Sequence, residues 1–213
     1  VNLDNMGADA QALDDFLQST DAEIIVMTEL AGHMEPAFAR ALARFPYRLR
    51  TPGDRHDPYG LLILARRPLE TPIVHQPFGI DFPVVEFRFC AEAEARACVA
   101  VIALHAVLPG EDDYLRDRQL GFAFERARLA GMAGEQAIVV GDLNTTPWSP
   151  VFKRFEGLGL RDAALGRGWL PTWPVILGPA GIPIDHVLVS ARLEVRRFLP
   201  LPAMGSDHRP VAV

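Results

Sequence analysis

Long apolar runs are missing from this chain. None reaches the roughly eighteen residues that a membrane-crossing helix requires, and no signal-peptide pattern is present. Positive charge is short as well: the formal net charge is −6. A protein that coats nucleic acid presents a basic surface, so the acidic balance counts against that role. It does not exclude a nuclease, because part of the acidity belongs in a metal site. Repeats, low-complexity tracts and a Pro/Gly-rich linker are also absent, which argues for one domain over 1–213. The first residue is Val1 rather than Met, and Val1-Asn2-Leu3 reads as the end of a strand. The chain is therefore expected to be a fragment that lacks its upstream part.

What is present is globular. Of 213 residues, 49% are hydrophobic and 23% charged, enough to bury a substantial core. Strand-like and helix-like stretches alternate. A helix is predicted from about Ala8 to Gln18, with Leu13, Phe16 and Leu17 on one face. Glu23–Met27 and Gly60–Ala65 read as buried strands, continuous rather than alternating. A second helix is predicted over Pro36–Phe45. Val84–Cys90 and Cys98–His105 form a hairpin pair, and Asp112–Gly131 is the longest helix. Ser149-Pro150 is a helix start, with Ser as N-cap and Pro at the first helical position. Ala137–Val140, His186–Ser190 and Leu193–Leu199 complete the strands. Many short buried strands with few long helices predict two sheets face to face, with helices outside.

Polar residues gather where the apolar strands end. Glu29 follows the first strand directly. His105 ends another. Gly141-Asp142-Leu143-Asn144 follows Ala137–Val140, and the alternate spacing of Asp142 and Asn144 points both side chains to one side of an extended backbone. Asp185-His186 precedes Val187-Leu188-Val189, and Gly205-Ser206-Asp207-His208-Arg209-Pro210 precedes Val211. Each has a plain alternative: an exposed strand-end acid, an Asx turn, a strand-start cap, a turn, a hydrogen-bonded strand-end histidine. Together they are the groups that metal-assisted hydrolysis needs. Carboxylates hold a hard cation such as Mg²⁺, and an imidazole moves or stabilises charge near neutral pH.

The set Glu29, His105, Gly-Asp-Leu-Asn at 141–144, Ile-Asp-His at 184–186 and Gly-Ser-Asp-His-Arg-Pro at 205–210 resembles the endonuclease/exonuclease/phosphatase family. The resemblance spans nearly the whole chain. It implies an α/β four-layer sandwich, with two mixed β-sheets packed face to face and helices outside. It also implies a Mg²⁺ or Mn²⁺ site at one edge. The family places an Asn at the end of its first strand. In one alignment this is Asn2; in another it lies just upstream of Val1, and Asn5 is a further candidate.

The implied activity is hydrolysis of a phosphoester, in nucleic acid, lipid or a small molecule, by a monomer with no obligate protein partner. Glu29, Asp207 and Asn2 are expected to hold the metal. Asp142 orients or deprotonates water, and Asn144 donates to a phosphate oxygen. His208, its tautomer fixed by Asp185, contacts the phosphate, and His105 assists there or at the leaving group. His186, on an alternating strand, is expected to face away. Trp173 is read equally as a stacking platform or as loop packing. Arg116, Arg118 and Gln119, which open the long helix, are read as a solvated face or, for one of them, as a phosphate contact; the series Arg40, Arg44, Arg48, Arg50 and Arg55 reads as a solvated face. The rival class is a catalytically silent family member used as a binding module, whose signature is loss of Asp142, Asn144 or His208.

If Val85, Phe87 and Phe89 lie opposite Ala103, Val101 and Val99, the same register sets Cys90 opposite Cys98, within disulfide reach. The pair is read either as a bond formed in an oxidising compartment or as two ordinary strand cysteines. An extracytoplasmic or membrane-tethered location is compatible with a missing upstream region.

Overall fold

The computed structural model describes residues 1–4, 7, 9–29, 42–51, 59–77, 82–91 and 98–213. Most of the expected helix Pro36–Phe45 lies outside them, as do Asn5, Arg40 and Arg55. The described elements are α1 (Ala10–Ser19), β1 (Ile24–Thr28), β2 (Tyr47–Arg50), β3 (Leu61–Ala65), β4 (Glu70–His75), β5 (Val84–Cys90) and β6 (Cys98–His105). They continue as α2 (Asp113–Met132), β7 (Gln136–Asp142), α3 (Pro150–Gly157), β8 (Leu160–Asp162), a 3-10 segment (Val175–Ala180), β9 (Asp185–Ser190), β10 (Leu199–Pro200) and β11 (Val211–Ala212).

Two sheets form the centre. One has the order β1-β3-β2, and the other β4-β5-β6-β7-β9-β8, with β6 and β7 parallel and the remaining neighbours antiparallel. Val26, Leu61, Ile63 and Ala65 of the small sheet meet Val85, Phe87, Val101 and Ala103 of the large one. The opposite face of the small sheet packs Ile25, Met27, Leu62 and Leu64 against Leu13 and Leu17 of α1. The outer face of the large sheet carries α2 and α3 through Leu120, Ala123, Phe124, Phe152 and Phe155. Both faces of β1 and β3 are therefore covered. That explains why their sequences are continuously apolar rather than alternating, and it produces the expected four layers.

Local chemistry sets the element ends. Asp9 caps α1 by accepting from the Gln11 and Ala12 amides. Asp112 does the same for α2 through Leu115, and Ser149 caps α3 with Pro150 in its first turn. The β5–β6 register pairs Val85 with Ala103, Phe87 with Val101, Phe89 with Val99 and Cys90 with Cys98. The two cysteines are joined in a disulfide, with their Cα atoms 4.0 Å apart.

Two expectations are corrected. Leu193–Leu199 is not a strand; only Leu199–Pro200 pairs, with Val211–Ala212. The Leu193 and Val195 carbonyls accept from the guanidinium groups of Arg161 and Arg167 instead of from a neighbouring strand. Gln119 is not on a solvated face. It is fully buried, donating to the His105 carbonyl at 2.9 Å and accepting from the Val107 amide at 3.1 Å. It thereby fixes the backbone where β6 leaves the sheet. Arg48 and Arg50 lie on β2 with exposed side chains, as the solvated-face reading requires.

Candidate active site

Strand register builds the site before any side chain is considered. His105 on β6 pairs with Asp142 on β7, and Asp142 pairs with Asp185 on β9. Three functional residues thus stand in one row across three strands at one end of the large sheet. Gly141 makes the row possible. Its φ is +146°, and a Cβ there would lie 1.8 Å from the Leu104 carbonyl oxygen, so only glycine admits this approach. Asn2 joins from the small-sheet side through a parallel bridge to Thr28, which also presents Glu29 with φ +58°.

Asp142 is the hub. It is 2% exposed. One carboxylate oxygen accepts from the Asn144 amide at 2.9 Å. The other accepts from Asn2 Nδ2 at 3.0 Å, and His105 Nε2 and His208 Nε2 each lie 3.7 Å from it. Asn2 Nδ2 also donates to Glu29 at 2.7 Å, so one amide ties both carboxylates together. Asn144, with φ +46°, donates to the Ala106 carbonyl at 2.7 Å and lies 3.3 Å from His105 Nε2. His105 Nε2 is 3.5 Å from Glu29, and the Tyr59 ring packs on the imidazole at 4.9 Å between centroids.

The second cluster is an Asp–His pair. Asp185 accepts from His208 Nδ1 at 2.9 Å. That bond assigns the proton to Nδ1 and leaves Nε2 facing Asp142. Thr172 holds the pair in place: its hydroxyl oxygen accepts from the Ile184 and Asp185 amides, and its carbonyl accepts from the Arg209 amide. Asp207 lines the same cavity, half-exposed, and accepts from the Trp173 indole at 2.7 Å.

The electrostatics follow from this crowding. Burial, then the charge of Asp185, raises the Asp142 carboxyl to about 7, partly opposed by His208. Burial also raises Glu29, against the pull of His105 and Asn2. Burial works against a charged His208, but the hydrogen bond and charge of Asp185 outweigh it and raise the imidazole to about 9. Asp185 moves the opposite way. Burial penalises its charge, yet the His208 bond holds it below the usual carboxylate range.

Glu29, His105 and Asp142 offer ligand atoms that all lie within 4.8 Å of one another, as do Asp142, Asp185 and His208. The first group, with the Asn2 amide beside it, is rich in oxygen donors and suits a hard divalent cation. The raised carboxyls express the same fit, since a cation beside them favours the charged form that burial disfavours. Asn2 Oδ1 accepts from the Asp4 amide at 2.8 Å and keeps a second lone pair.

The structure brings Asn2, Glu29, His105, Asp142, Asn144, Asp185, Asp207 and His208 to one cavity region. Asp207 stands outside the two close donor groups. His186 faces away, as its strand position requires: Asp162 and the Thr145 carbonyl meet its two ring nitrogens at 2.8 and 2.9 Å. Asp4, Tyr59 and Thr172 escaped the sequence reading. Asp4 follows Asn2 at the same alternate spacing as Asp142 and Asn144, a usable signal. Tyr59, two residues before β3, and Thr172, just before the bridge residue Trp173, carry no local mark.

A buried acid–imidazole cluster at the ends of adjoining strands, on an α/β sandwich of this layering, defines a hydrolase-type polar site rather than a packed core. The chain belongs to the endonuclease/exonuclease/phosphatase family, whose model matches residues 1–208, and so to a class of phosphoester hydrolases. Solved structures agree in fold. Truncated TDP2 of Caenorhabditis elegans superposes with a TM-score of 0.77 at 17% identity, covering 99% of this chain and 92% of that one. TDP2 of D. rerio complexed with single-strand DNA product gives 0.76 at 14% identity, covering 99% and 94%. The human Nocturnin catalytic domain with bound sulfate gives 0.73 at 16% identity, covering 93% and 82%. A search of curated proteins gives no significant sequence match.

Proposed function

We propose that this chain is a divalent-metal-dependent phosphodiesterase. The observation that carries the reading is the sharing of Asp142 between two close acid–imidazole groups on the wall of a cavity of about 630 Å³. Mg²⁺ or Mn²⁺ would be held by Glu29, with Asn2 and Asp207 as the further assigned ligands, and would neutralise phosphate charge when bound. Asp142 takes a proton from the attacking water. As the water oxygen bonds to phosphorus, the bond to the leaving oxygen breaks, and that oxygen receives a proton from His105. Asn144 donates to a non-bridging oxygen. His208, kept protonated by Asp185, supports the charge that builds on the phosphoryl group.

Every group whose loss would mark a silent binding module is present. Trp173 and Ile182, beside the acidic groups, give the cavity an apolar wall, compatible with a nucleoside or another organic leaving group. The acidic balance favours a small phosphodiester or a strand end over a long duplex. The Cys90–Cys98 bond supports work in an oxidising compartment. Among the described residues no helix is long and apolar enough to cross a membrane. The deciding experiment is a phosphoester panel assayed with Mg²⁺, Mn²⁺ and chelator. Turnover that appears with metal and vanishes with chelator is expected; chelator-insensitive turnover, or none with any metal, ends the reading.

A further inference from the structure

The cavity wall is acidic at Asp4, Glu29, Asp142 and Asp207, but Arg116 of α2 also lines it. Its side chain is 18% exposed, so it is not the solvated helix face that the sequence suggested. One guanidinium nitrogen lies 3.1 Å from Asp113. That carboxylate is mostly solvent-exposed, and the same oxygen already accepts from the Gly110 amide, so the pair is weak. The Arg116 Nε is buried and has no hydrogen-bond partner. A buried guanidinium donor without an acceptor is costly and calls for an explanation. A planar fork of donors matches a phosphate in bidentate fashion.

None of the hydrogen bonds that tie Asn2, His105, Asn144, Asp185 and His208 together involves Arg116. The groups around the reacting phosphorus are therefore organised without it. We propose that Arg116 binds a second phosphate of the substrate, one not being cleaved, and that this chain selects phosphodiesters carrying a second phosphoryl group. The inference rests on the phosphodiesterase reading above. A neutral or zwitterionic leaving group leaves the Arg116 donor unmet. A second phosphate pairs with the guanidinium, whose positive charge offsets the repulsion between that phosphate and the acidic wall.

The test compares turnover of thymidylyl-thymidine, its 5′-phosphorylated form and the trinucleotide in wild type, R116A and R116K. In parallel, calorimetry measures binding of thymidine 5′-phosphate and thymidine 3′,5′-bisphosphate to D142N and D142N/R116A. Wild type is expected to prefer a substrate with a second phosphate over thymidylyl-thymidine. R116A should cut that preference by roughly 10- to 100-fold, the worth of hydrogen bonds to a charged group, and R116K should retain part of it. Preference for the 5′-phosphorylated dinucleotide identifies a terminal phosphate; preference for the trinucleotide identifies a neighbouring diester. The bisphosphate should bind more tightly than the monophosphate only when Arg116 is present. Equal loss on all three substrates would place Arg116 on the reacting phosphate and overturn the proposal, as would a bisphosphate advantage that survives R116A. Failure of all three substrates to turn over would count against the phosphodiesterase reading, and the binding arm would still decide Arg116.

Discussion

Strand β9 opens with two adjacent residues, Asp185 and His186, and each belongs to an Asp–His pair on its own side of the sheet. On the cavity side Asp185 meets His208 at 2.9 Å; on the helix side His186 meets Asp162 at 2.8 Å. The pairs are alike in distance and burial, and they differ in what the second ring nitrogen faces. His208 Nε2 looks across the cavity toward Asp142 at 3.7 Å. His186 Nε2 is occupied by the Thr145 carbonyl at 2.9 Å, and Phe152 covers the ring at 4.7 Å. An Asp–His pair becomes chemical equipment only when its outer nitrogen is left for a substrate. Otherwise it is a clamp, here one that anchors the backbone just after Asn144.

The largest effect is expected at the hub on the cavity side. Asp142→Asn keeps the shape of the Gly-Asp-Leu-Asn segment and removes the proton acceptor, so turnover should fall by roughly 10²–10⁴-fold. Asp142 is buried and its carboxyl already disfavours charge, so the melting temperature should hold or rise. Wild-type-like turnover with a lower melting temperature would remove Asp142 from the chemistry.

The comparison itself is tested by His208→Gln against His186→Gln. The first should lower turnover by roughly 100-fold or more, as loss of a preorganised charge-stabilising donor does. The second should stay within about tenfold in rate while costing roughly 1–3 kcal/mol of stability, because Asp162 and the Thr145 carbonyl lose the ring they are paired with. Reversed rankings in rate and melting temperature would exchange the roles assigned to the two faces.

A smaller effect is carried by pH. His208 titrates near 9 in the folded chain, above its ordinary value of about 6.5. A raised folded value means that the stability from this pair is fully present below about 6.5 and is lost as pH climbs through about 9. In Asp185→Asn the imidazole titration followed by NMR should move down toward its ordinary value, and the alkaline loss of stability should flatten. An unmoved titration would break the Asp185–His208 assignment.

Least is expected at the far end of β6. Reducing Cys90–Cys98 should cost about 2–3 kcal/mol through the short loop that it closes and leave turnover unchanged. His105 lies seven residues further along the strand, a distance of roughly 23 Å at strand rise. A rate that follows reduction would tie the hairpin end to the site.

Much of this was legible in the chain because period and punctuation agree. The continuous apolar runs of β1 and β3 announced strands covered on both faces, and Ser149-Pro150 announced a helix. The hairpin register predicted from Val85 and Ala103 carried through to the cysteines, and alternation sent His186 to the correct face. What stayed hidden depends on distant partners. Asp142 is an acid held inside the protein, not an exposed strand end, because Asn2 and His208 arrive from the two chain ends to surround it. Gln119 reads as one polar residue on a helix until the His105 carbonyl is found beneath it. The mixed stretch Leu193–Leu199 resembles a strand, and only the side chains of Arg161 and Arg167, by taking its carbonyls, unmake it. Strands β2 and β4 were missed because their largely exposed residues give weak periodicity, and β8 because three residues are too few to show one.

The chain has three tryptophans. Trp173 borders the main cavity with its indole donating to Asp207. Trp148 and Trp169 stack on each other at 5.6 Å, lining a second cavity next to it. The protein therefore carries its own optical reporters. Cation or ligand entering the main cavity competes for Asp207 and changes the emission of one indole. The stacked pair is close enough to couple electronically and gives a near-ultraviolet circular dichroism signature of the neighbouring wall. Occupancy of the site and integrity of its surroundings can thus be read as two separable signals from one unlabelled sample.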